Sequence, residues 1–292
     1  MGTSASYGGP RIGLVPSWVD DAAGSGAPAG APPPSGVAPG IAPAAPSAQS
    51  TSPASTSRST VSPAGPLSGA RGNFTRFARN GDRSALGRAL SSYVRGGTGG
   101  SARAARRMGV SRAVAGNLLG IVRDVQRVGG AEALRQRFNL QQLAGRPAAD
   151  VFLAIIEFVC PPGGTVDDGI ARQAMLEAVG DLAEAGVGNF DAMTRIQLEE
   201  FFLNFVIRSI ESRIVADIGS RSITLPASAD AVELVQQQLH DFVAGCTRSE
   251  LAGQLDGLES LKDQEINATI DRIYEAGFDV LVGAADQAAE GA

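Results

Sequence analysis

Few side chains in this sequence could carry out catalysis or bind a metal. His240 is the only histidine among the 292 residues. A metal site with several histidines is therefore excluded, and so is a catalytic triad that leaves a second histidine for another role. Cys160 and Cys246 are the only cysteines, and both stand in apolar helical sequence, where a free thiol usually packs as a small hydrophobe. Adjacent carboxylates such as Asp167 and Asp168 splay apart on a helix and do not form an acid/base pair. We therefore expect a protein that is not an enzyme and that binds no metal or cofactor.

One candidate nucleophile stands at the start of the chain. Gly2 has no side chain, so Met1 is expected to be removed and the α-amine of Gly2 exposed. That amine has a pKa of about 7.7–8, so part of it is uncharged at neutral pH. It is also unhindered, which suits an acylating enzyme. Gly2 and Ser6 also match the pattern for N-myristoylation, but that alternative needs an acyltransferase of eukaryotic type.

A second candidate site is basic. Residues 71–146 contain 15 arginines against three acidic residues. Arg103, Arg106, Arg107 and Arg112 could neutralise the phosphates of a nucleic acid, although aromatic residues that would stack on bases are scarce in this region. Docking of these arginines onto an acidic surface, including the second half of this chain, fits the composition at least as well. Nucleic-acid binding therefore stays an alternative function.

The elements that position these residues are predicted to be helices, which gives an all-α fold with a multi-helix bundle as its body. From Arg71 onward, apolar residues recur at helical spacing and predict this structure. The predicted helices cover about 71–78, 84–95, 101–127, 131–138, 147–160, 167–185, 194–219, 230–246 and 263–282. The helix that starts at Thr194 is expected to be the longest, and Gly96 to Gly100 are expected to form a flexible gap.

The composition divides the chain into four segments. Residues 19–70 are rich in Pro, Ala, Gly and Ser and predict a disordered linker, because such a sequence buries too little apolar surface to offset the entropy of ordering it. Residues 1–18 precede it and contain the only tryptophan, Trp18. They are either a recognition peptide or a disordered terminus with apolar residues by chance. Residues 71–146 form a basic helical region, and residues 147–292 form an acidic helical bundle.

The charge of the chain is polarised. Residues 1–146 hold 17 arginines against 5 acidic residues, a net charge of +12, and residues 147–292 hold 8 basic against 25 acidic residues, a net charge of −17. This asymmetry predicts either a fit between the two halves or two charged partners. No signal peptide or membrane-spanning stretch is predicted, and two apolar cysteines suit a reducing compartment, so we expect a cytoplasmic protein.

Several motifs together resemble the QatB family of the Qat anti-phage defence systems. They are MGTS, GGP and LVPSW near the start, and FVCPPGGTVDD, IESRIVADIG and QLHDFVAGC in the helical part. The resemblance implies an antiviral defence role beside three other proteins. These are an ATPase (QatA), a relative of the deazapurine synthase QueC (QatC) and a TatD-like nuclease (QatD).

The resemblance also implies a specific modification. The QueC-like enzyme would couple a deazaguanine group to the N-terminal amine of its partner, here the α-amine of Gly2. The neighbouring residues Thr3, Ser4, Ser6, Gly8, Gly9 and Pro10 would enter the enzyme's cleft, and Leu14, Val15 and Trp18 would form a second docking element. The helical body would then serve as an adaptor for the ATPase and the nuclease through protein–protein interaction.

Overall fold

The structure is a computed structural model that describes residues 65–219 and 224–290. Ten α-helices occur in these residues. They are α1 (Ser68–Asn80), α2 (Arg83–Ser91), α3 (Ser101–Arg107), α4 (Gly109–Val128), α5 (Gly130–Phe138), α6 (Ala148–Val159), α7 (Val166–Glu184), α8 (Arg195–Gly219), α9 (Ala229–Gly253) and α10 (Asp263–Glu290). Within the described ranges the all-α prediction is confirmed, while residues 1–18 and most of the predicted linker lie outside them.

Side chains that cap the first turns explain where several helices begin. Asp82 accepts a hydrogen bond from the Ser84 amide at the start of α2, and Ser228 accepts one from Ala231 at the start of α9. Thr165 and Asp168 form a reciprocal capping box at the start of α7. Each such cap satisfies a backbone donor that the helix itself leaves without a partner, so these polar residues fix the helix boundaries.

The core is one continuous apolar cluster to which all ten helices contribute. Helix α8 lies at its centre, with Phe202, Phe205 and Ile210 fully buried. The ring of Phe201 stacks on Phe152 of α6, with 3.8 Å between ring centroids. Helix α10 packs against α2, α3, α4 and α9. Residues 64–292 therefore form one compact unit that joins the basic and the acidic helices.

The helix predicted over 101–127 is in fact two helices. Met108 has φ −80° and ψ 24°, so the chain leaves the α conformation between α3 and α4. The side chain of Met108 is 2 % exposed, and both α3 and α4 pack against α10. The break lets each helix meet α10 with its own apolar face, which apolar spacing alone does not reveal.

Two further expectations were wrong. The predicted gap at Gly96–Gly100 is largely a π-helix, Ser92–Thr98, which continues α2. Thr98 stabilises it by donating its hydroxyl to the Val94 carbonyl at 2.7 Å. The longest helix in the described residues is α10 with 28 residues, not α8 with 25, because the alanine-rich end of the sequence continues the helix beyond its last large apolar residue.

Candidate functional site

The predicted N-terminal site lies outside the described residues. This applies to Gly2 and to the predicted recognition residues Thr3, Ser4, Ser6, Gly8, Gly9, Pro10, Leu14, Val15 and Trp18. The structure does describe the point where that segment joins the body. Leu67 lies so close to Gly97 that a β-carbon at Gly97 would clash with Leu67 Cδ2. The absence of a side chain at Gly97 thus allows Leu67 to fix the start of the body on the π-helix.

The structure divides the four arginines predicted to contact nucleic acid into two pairs. Arg107 Nη2 lies 3.3 Å from Asp217 Oδ2, and Arg112 forms an ion pair with Asp271 of α10. Arg103 and Arg106 are exposed on α3, and neither forms an ion pair within the described part of the chain. Half of the predicted set therefore binds the acidic half of this chain, and the other half faces solvent.

Arg107 belongs to a largely half-buried charge cluster, the Asp217 cluster, formed by Tyr93, Arg107, Arg213 and Asp217, in which Tyr93 is buried and Arg107 is exposed. The Tyr93 hydroxyl donates to Asp217 Oδ2 at 3.0 Å, and Arg213 Nε lies 3.4 Å from the same oxygen. Burial raises the pKa of Tyr93, and the negative charge of Asp217 raises it further. Tyr93 therefore stays a hydrogen-bond donor, and one carboxylate connects the π-helix, α3 and α8.

Arg71 of α1 binds backbone carbonyls beside this cluster. Its Nε donates to the Ile218 carbonyl and its Nη2 to the Asp217 carbonyl, both at 3.1 Å. The last carbonyls of a helix lack intrahelical donors and carry partial negative charge, so a guanidinium binds there favourably. The basic part of the chain thus caps the end of the central helix of the acidic part.

Other arginines make the same kind of contact along α10 and the turn before it. Arg95 of the π-helix pairs with Asp286, which also accepts a hydrogen bond from Ser91 at 2.7 Å. Arg123, only 5 % exposed, pairs with Asp263 at 2.5 Å and donates to the Leu261 carbonyl at 3.2 Å. The sequence left two interpretations of the charge asymmetry open. These contacts agree with the first of them, a fit between the basic and the acidic half of the chain.

His240 lies in a polar network between helices and not in a catalytic arrangement with a cysteine. Its Nδ1 lies 2.9 Å from Glu211 Oε2, and Arg208 binds both oxygens of Asp181 at 2.8 and 3.0 Å. Burial raises the pKa of Glu177, and the neighbouring carboxylates of Glu211 and Asp181 raise it further. The network joins α7, α8 and α9, which agrees with a structural role for His240.

The two cysteines are poor nucleophiles. Cys160 is 1 % exposed, and burial raises its pKa. Burial also raises the pKa of Cys246, to about 11. Because the thiolate is the reactive form, both side chains stay protonated and unreactive at neutral pH.

Two shallow clefts open on the surface of the described residues. One of them, the α1–α9 cleft, is mainly apolar and has a volume of about 290 Å³. Its residues come from α1, α2 and α9 and include Phe77, Arg83, Leu86, Asp241, Phe242 and Cys246. The other lies beside Gln126, Asp191 and Arg195 and has a mixed lining of polar and apolar side chains. Among the residues that the structure describes, no group of three or more side chains is arranged as metal ligands.

Comparison with known proteins decides the family. The family described as Qat anti-phage system associated protein QatB matches residues 99–281, which is more than half of the chain. The chain belongs to the QatB family. No curated protein and no solved structure matches it.

The QatB match begins at Gly99 and ends at Leu281, within α10. It includes Arg107, Arg213 and Asp217 of the Asp217 cluster, whereas Tyr93 and Arg71 precede it. It includes the α9 side of the α1–α9 cleft but not the α1 and α2 side. None of the helices in the described ranges is long and apolar enough to cross a membrane.

Proposed function

We propose that this chain is the protein acceptor of its Qat anti-phage system and carries a deazaguanine group on the α-amine of Gly2. Membership of the QatB family supports the proposal most, because it makes the other Qat components the natural partners of this chain. The sequence supplies the acceptor, an unhindered glycine amine after the expected removal of Met1. The QueC-like component, QatC, would supply the acyl group from an ATP-activated deazaguanine carboxylate. ATP would activate the carboxylate as an acyl adenylate with release of pyrophosphate, and attack of the Gly2 amine on the acyl carbon would then give the amide, AMP and one proton.

The position of the helical body along the chain supports separate roles for the N-terminal acceptor and the body. The compact helical unit begins near residue 64, so more than sixty residues separate Gly2 from the first helix. The proposed acceptor amine is therefore distant in sequence from every described helix. The body itself has shallow clefts, one of its thiols is buried and the other half-buried, which suits an acceptor and adaptor better than a catalyst.

The adaptor role needs a surface for the ATPase or the nuclease, and we propose the outer face of α6 and α7. Arg172 of α7 pairs with Glu157 of α6 and donates to the Cys160 carbonyl at 3.0 Å, so the two helices lie side by side. Large apolar side chains are exposed on both of them, namely Leu153, Phe158, Val166 and Leu176. Exposed large apolar side chains on two adjacent helices favour a protein interface there.

Intact mass spectrometry of the chain co-expressed with its Qat neighbours tests the modification. We expect loss of Met1 and the addition of one deazaguanine-sized acyl group, located at Gly2 by fragmentation. Gly2→Glu should retain Met1, lose the addition and lose defence. Ser25→Ala, in the predicted linker and outside the predicted recognition residues, is the control and should keep the addition. An unmodified Gly2 during defence, or full defence with Gly2→Glu, contradicts the proposal.

Nucleic-acid binding is the second candidate function, and the exposed pair Arg103 and Arg106 favours it. If the chain binds DNA through them, replacing both with Gln should lower the affinity and reduce the slope of log K against log salt by about 2. Exposed Arg76 and Arg79 on α1 provide a control double variant of equal charge. Equal affinity of the α3 variant and the parent chain, or an equal loss in the control, rejects specific binding by α3.

A further inference from the structure

We infer that the outer face of α6 and α7 binds an amphipathic helix of a partner protein, which places its apolar side on α7 and its lysines or arginines at the end of α7. The inference rests on the proposed adaptor role and names the kind of element that this role requires. Three observations lead to it. They are the apolar stripe along α7, the way α6 widens that stripe, and the charge at one end of it.

The exposed side of α7 carries an apolar stripe where a surface helix usually carries charges. The α7 stripe consists of exposed residues at alternating spacings of three and four, namely Val166, Gly169, Gln173, Leu176, Gly180 and Ala183. It contains one polar residue and no charged one. The opposite side of α7, which includes Ile170, Met175 and Leu182, is buried in the core. A helix that is apolar on both sides is typical of one that is covered on both.

Helix α10 shows the usual pattern by contrast. It packs on the same core, but its exposed residues are mostly charged or amide side chains, among them Asp271, Glu275 and Asp279. Alternating spacings of three and four are those with which one helix packs along another. The α7 stripe follows nearly all 19 residues of its helix, a length of about 26 Å. The occupant that fits this stripe is therefore another helix.

Helix α6 widens the apolar surface beside the stripe. The two helices are antiparallel, because the first amide of α6 donates to the Gly188 carbonyl after α7 at 3.0 Å, and Glu157 near the end of α6 pairs with Arg172. Between these two contacts, Leu153 lies opposite the middle of α7, where Leu176 is located. The two leucines are 46 % and 40 % exposed. The apolar surface is thus two helices wide at its centre.

The charge around this surface is acidic. Residues 147–192 hold eight acidic residues and one arginine, a net charge of −7. Arginines of α8 bind two of these acids, Asp167 and Asp181. Asp150 and Glu184, in contrast, are exposed and form no ion pair with any residue that the structure describes. These two carboxylates are available to a partner.

Asp150 and Glu184 lie at the same end of the helix pair, because the start of α6 meets the chain that follows α7. Glu184 is the last residue of α7, where the helix has partial negative charge and no basic residue in its last turn. A cation from a partner would relieve this unfavourable concentration of negative charge. The same acids repel a nucleic acid or an anionic membrane. The surface is therefore complementary to a protein helix with an apolar side and a basic end.

Binding of the full chain to the purified ATPase and nuclease components of its Qat system, measured by isothermal titration calorimetry, tests the apolar contact. Leu176→Ser should weaken the complex about tenfold, because it removes a central apolar side chain of the interface. Leu234→Ser is the matched control, since Leu234 is an exposed leucine of α9. This control should leave the affinity unchanged.

Gly180→Gln separates docking from folding. Gly180 lies one turn after Leu176 in the α7 stripe, and a β-carbon there would meet no atom within 4 Å. Gln should stabilise α7, because glycine is a poor helix former, yet it would stand against the partner helix and weaken the complex several-fold. Gly283→Gln is the matched control, because Gly283 of α10 is also exposed with open space around it. It should leave the affinity unchanged.

Charge reversal tests the basic end of the partner. Asp150→Lys with Glu184→Lys should weaken the complex several-fold, and the loss should shrink at high salt. Glu275→Lys with Asp279→Lys changes the net charge equally on the exposed side of α10 and should have a much smaller effect. Tighter binding of the Asp150 and Glu184 variant would show an acidic partner and overturn the inference.

Hydrogen exchange of the partner in the complex identifies the bound element. The protected segment should be a helix with apolar residues three and four positions apart and with lysines or arginines at one end, and a segment of another kind overturns the inference. Equal affinities of the parent chain, Leu176→Ser and Gly180→Gln also overturn it, while the adaptor role stands. If neither component binds the parent chain, the adaptor role fails together with this inference. Self-association of the parent chain that Leu176→Ser abolishes would assign the face to a second copy and overturn the inference.

Discussion

Two parts of the boundary between the basic and the acidic helices use the same residue types in different surroundings. In the Asp217 cluster, one carboxylate that is 14 % exposed contacts two arginines and a buried tyrosine. Along α10, Asp286 and Asp271 each pair with one arginine at the surface, and their side chains are 34 % and 52 % exposed. Burial decides how much each pair contributes, because water screens the exposed pairs and competes with them. The net charges of the two halves therefore say little about where the stabilising energy lies.

Removal of Asp217 should show the largest effect. Asp217→Ala leaves Arg107 and Arg213 without their shared carboxylate and Tyr93 without its acceptor. Breaking a buried pair in this way costs about 3–5 kcal/mol, and partial exposure of Arg107 places the expected loss near the lower end. Urea unfolding monitored by circular dichroism measures it. Asp279→Ala, an exposed acid of α10, is the control and should change stability by less than about 0.5 kcal/mol.

Replacement of Arg123 should cause the second largest loss of stability, because it is the most buried arginine of the boundary, at 5 % exposure. Arg123→Gln removes its pairing with Asp263 and Asp124 and its hydrogen bond to the Leu261 carbonyl. Leaving buried polar groups without partners costs about 1–3 kcal/mol. The same unfolding experiment applies, with exposed Arg103→Gln as a control that should be nearly neutral. A loss no greater than the control's would show that burial does not set the contribution.

Glu177 should reveal the pH dependence that burial produces. Its raised pKa means that the folded protein disfavours the carboxylate. The stabilising contribution of the protonated group is complete below the pKa of the unfolded state, about 4.3, and is lost as pH rises through the folded pKa. Glu177→Gln should therefore stabilise the protein at pH 7 and have no such advantage below pH 4. Thermal unfolding at both pH values measures this, and greater destabilisation at pH 7 than in acid would contradict it.

The exposed pair of Arg95 and Asp286 should show the smallest effect and the opposite pH dependence. The hydrogen bond from Ser91 lowers the pKa of Asp286, and Arg95 lowers it further. Its contribution is therefore present above the unfolded pKa and lost as pH falls through the folded pKa. Arg95→Gln should cost at most about 1 kcal/mol, and less at high salt. A loss comparable to that of Asp217→Ala would remove the distinction between the two parts of the boundary.

The sequence predicted the helices well wherever apolar spacing and caps agree. Pro147 before α6, Asp167 near the start of α7 and Thr194 before α8 all lie within a residue or two of the observed starts. The break at Met108 and the π-helix were missed, because both depend on how α2, α3 and α4 fit against α10. The local sequence does not predict the shape of the α10 surface, which lies far away along the chain.

The Asp217 cluster could not be predicted for the same reason. Tyr93 and Asp217 are 124 residues apart, and neither belongs to a motif of nearby polar residues. The polarity of charge along the chain was the one sequence signal for it, and that signal left open whether the partner of the arginines is this chain or another molecule. The predicted roles of Gly2 and of the residues from Thr3 to Trp18 stay predictions.

The contact between Leu67 and Gly97 places the beginning of the described chain against the π-helix. That helix carries Arg95, whose ion pair with Asp286 leads to α10. Two successive contacts thus connect the beginning of the described chain to α10, the longest helix in the described residues.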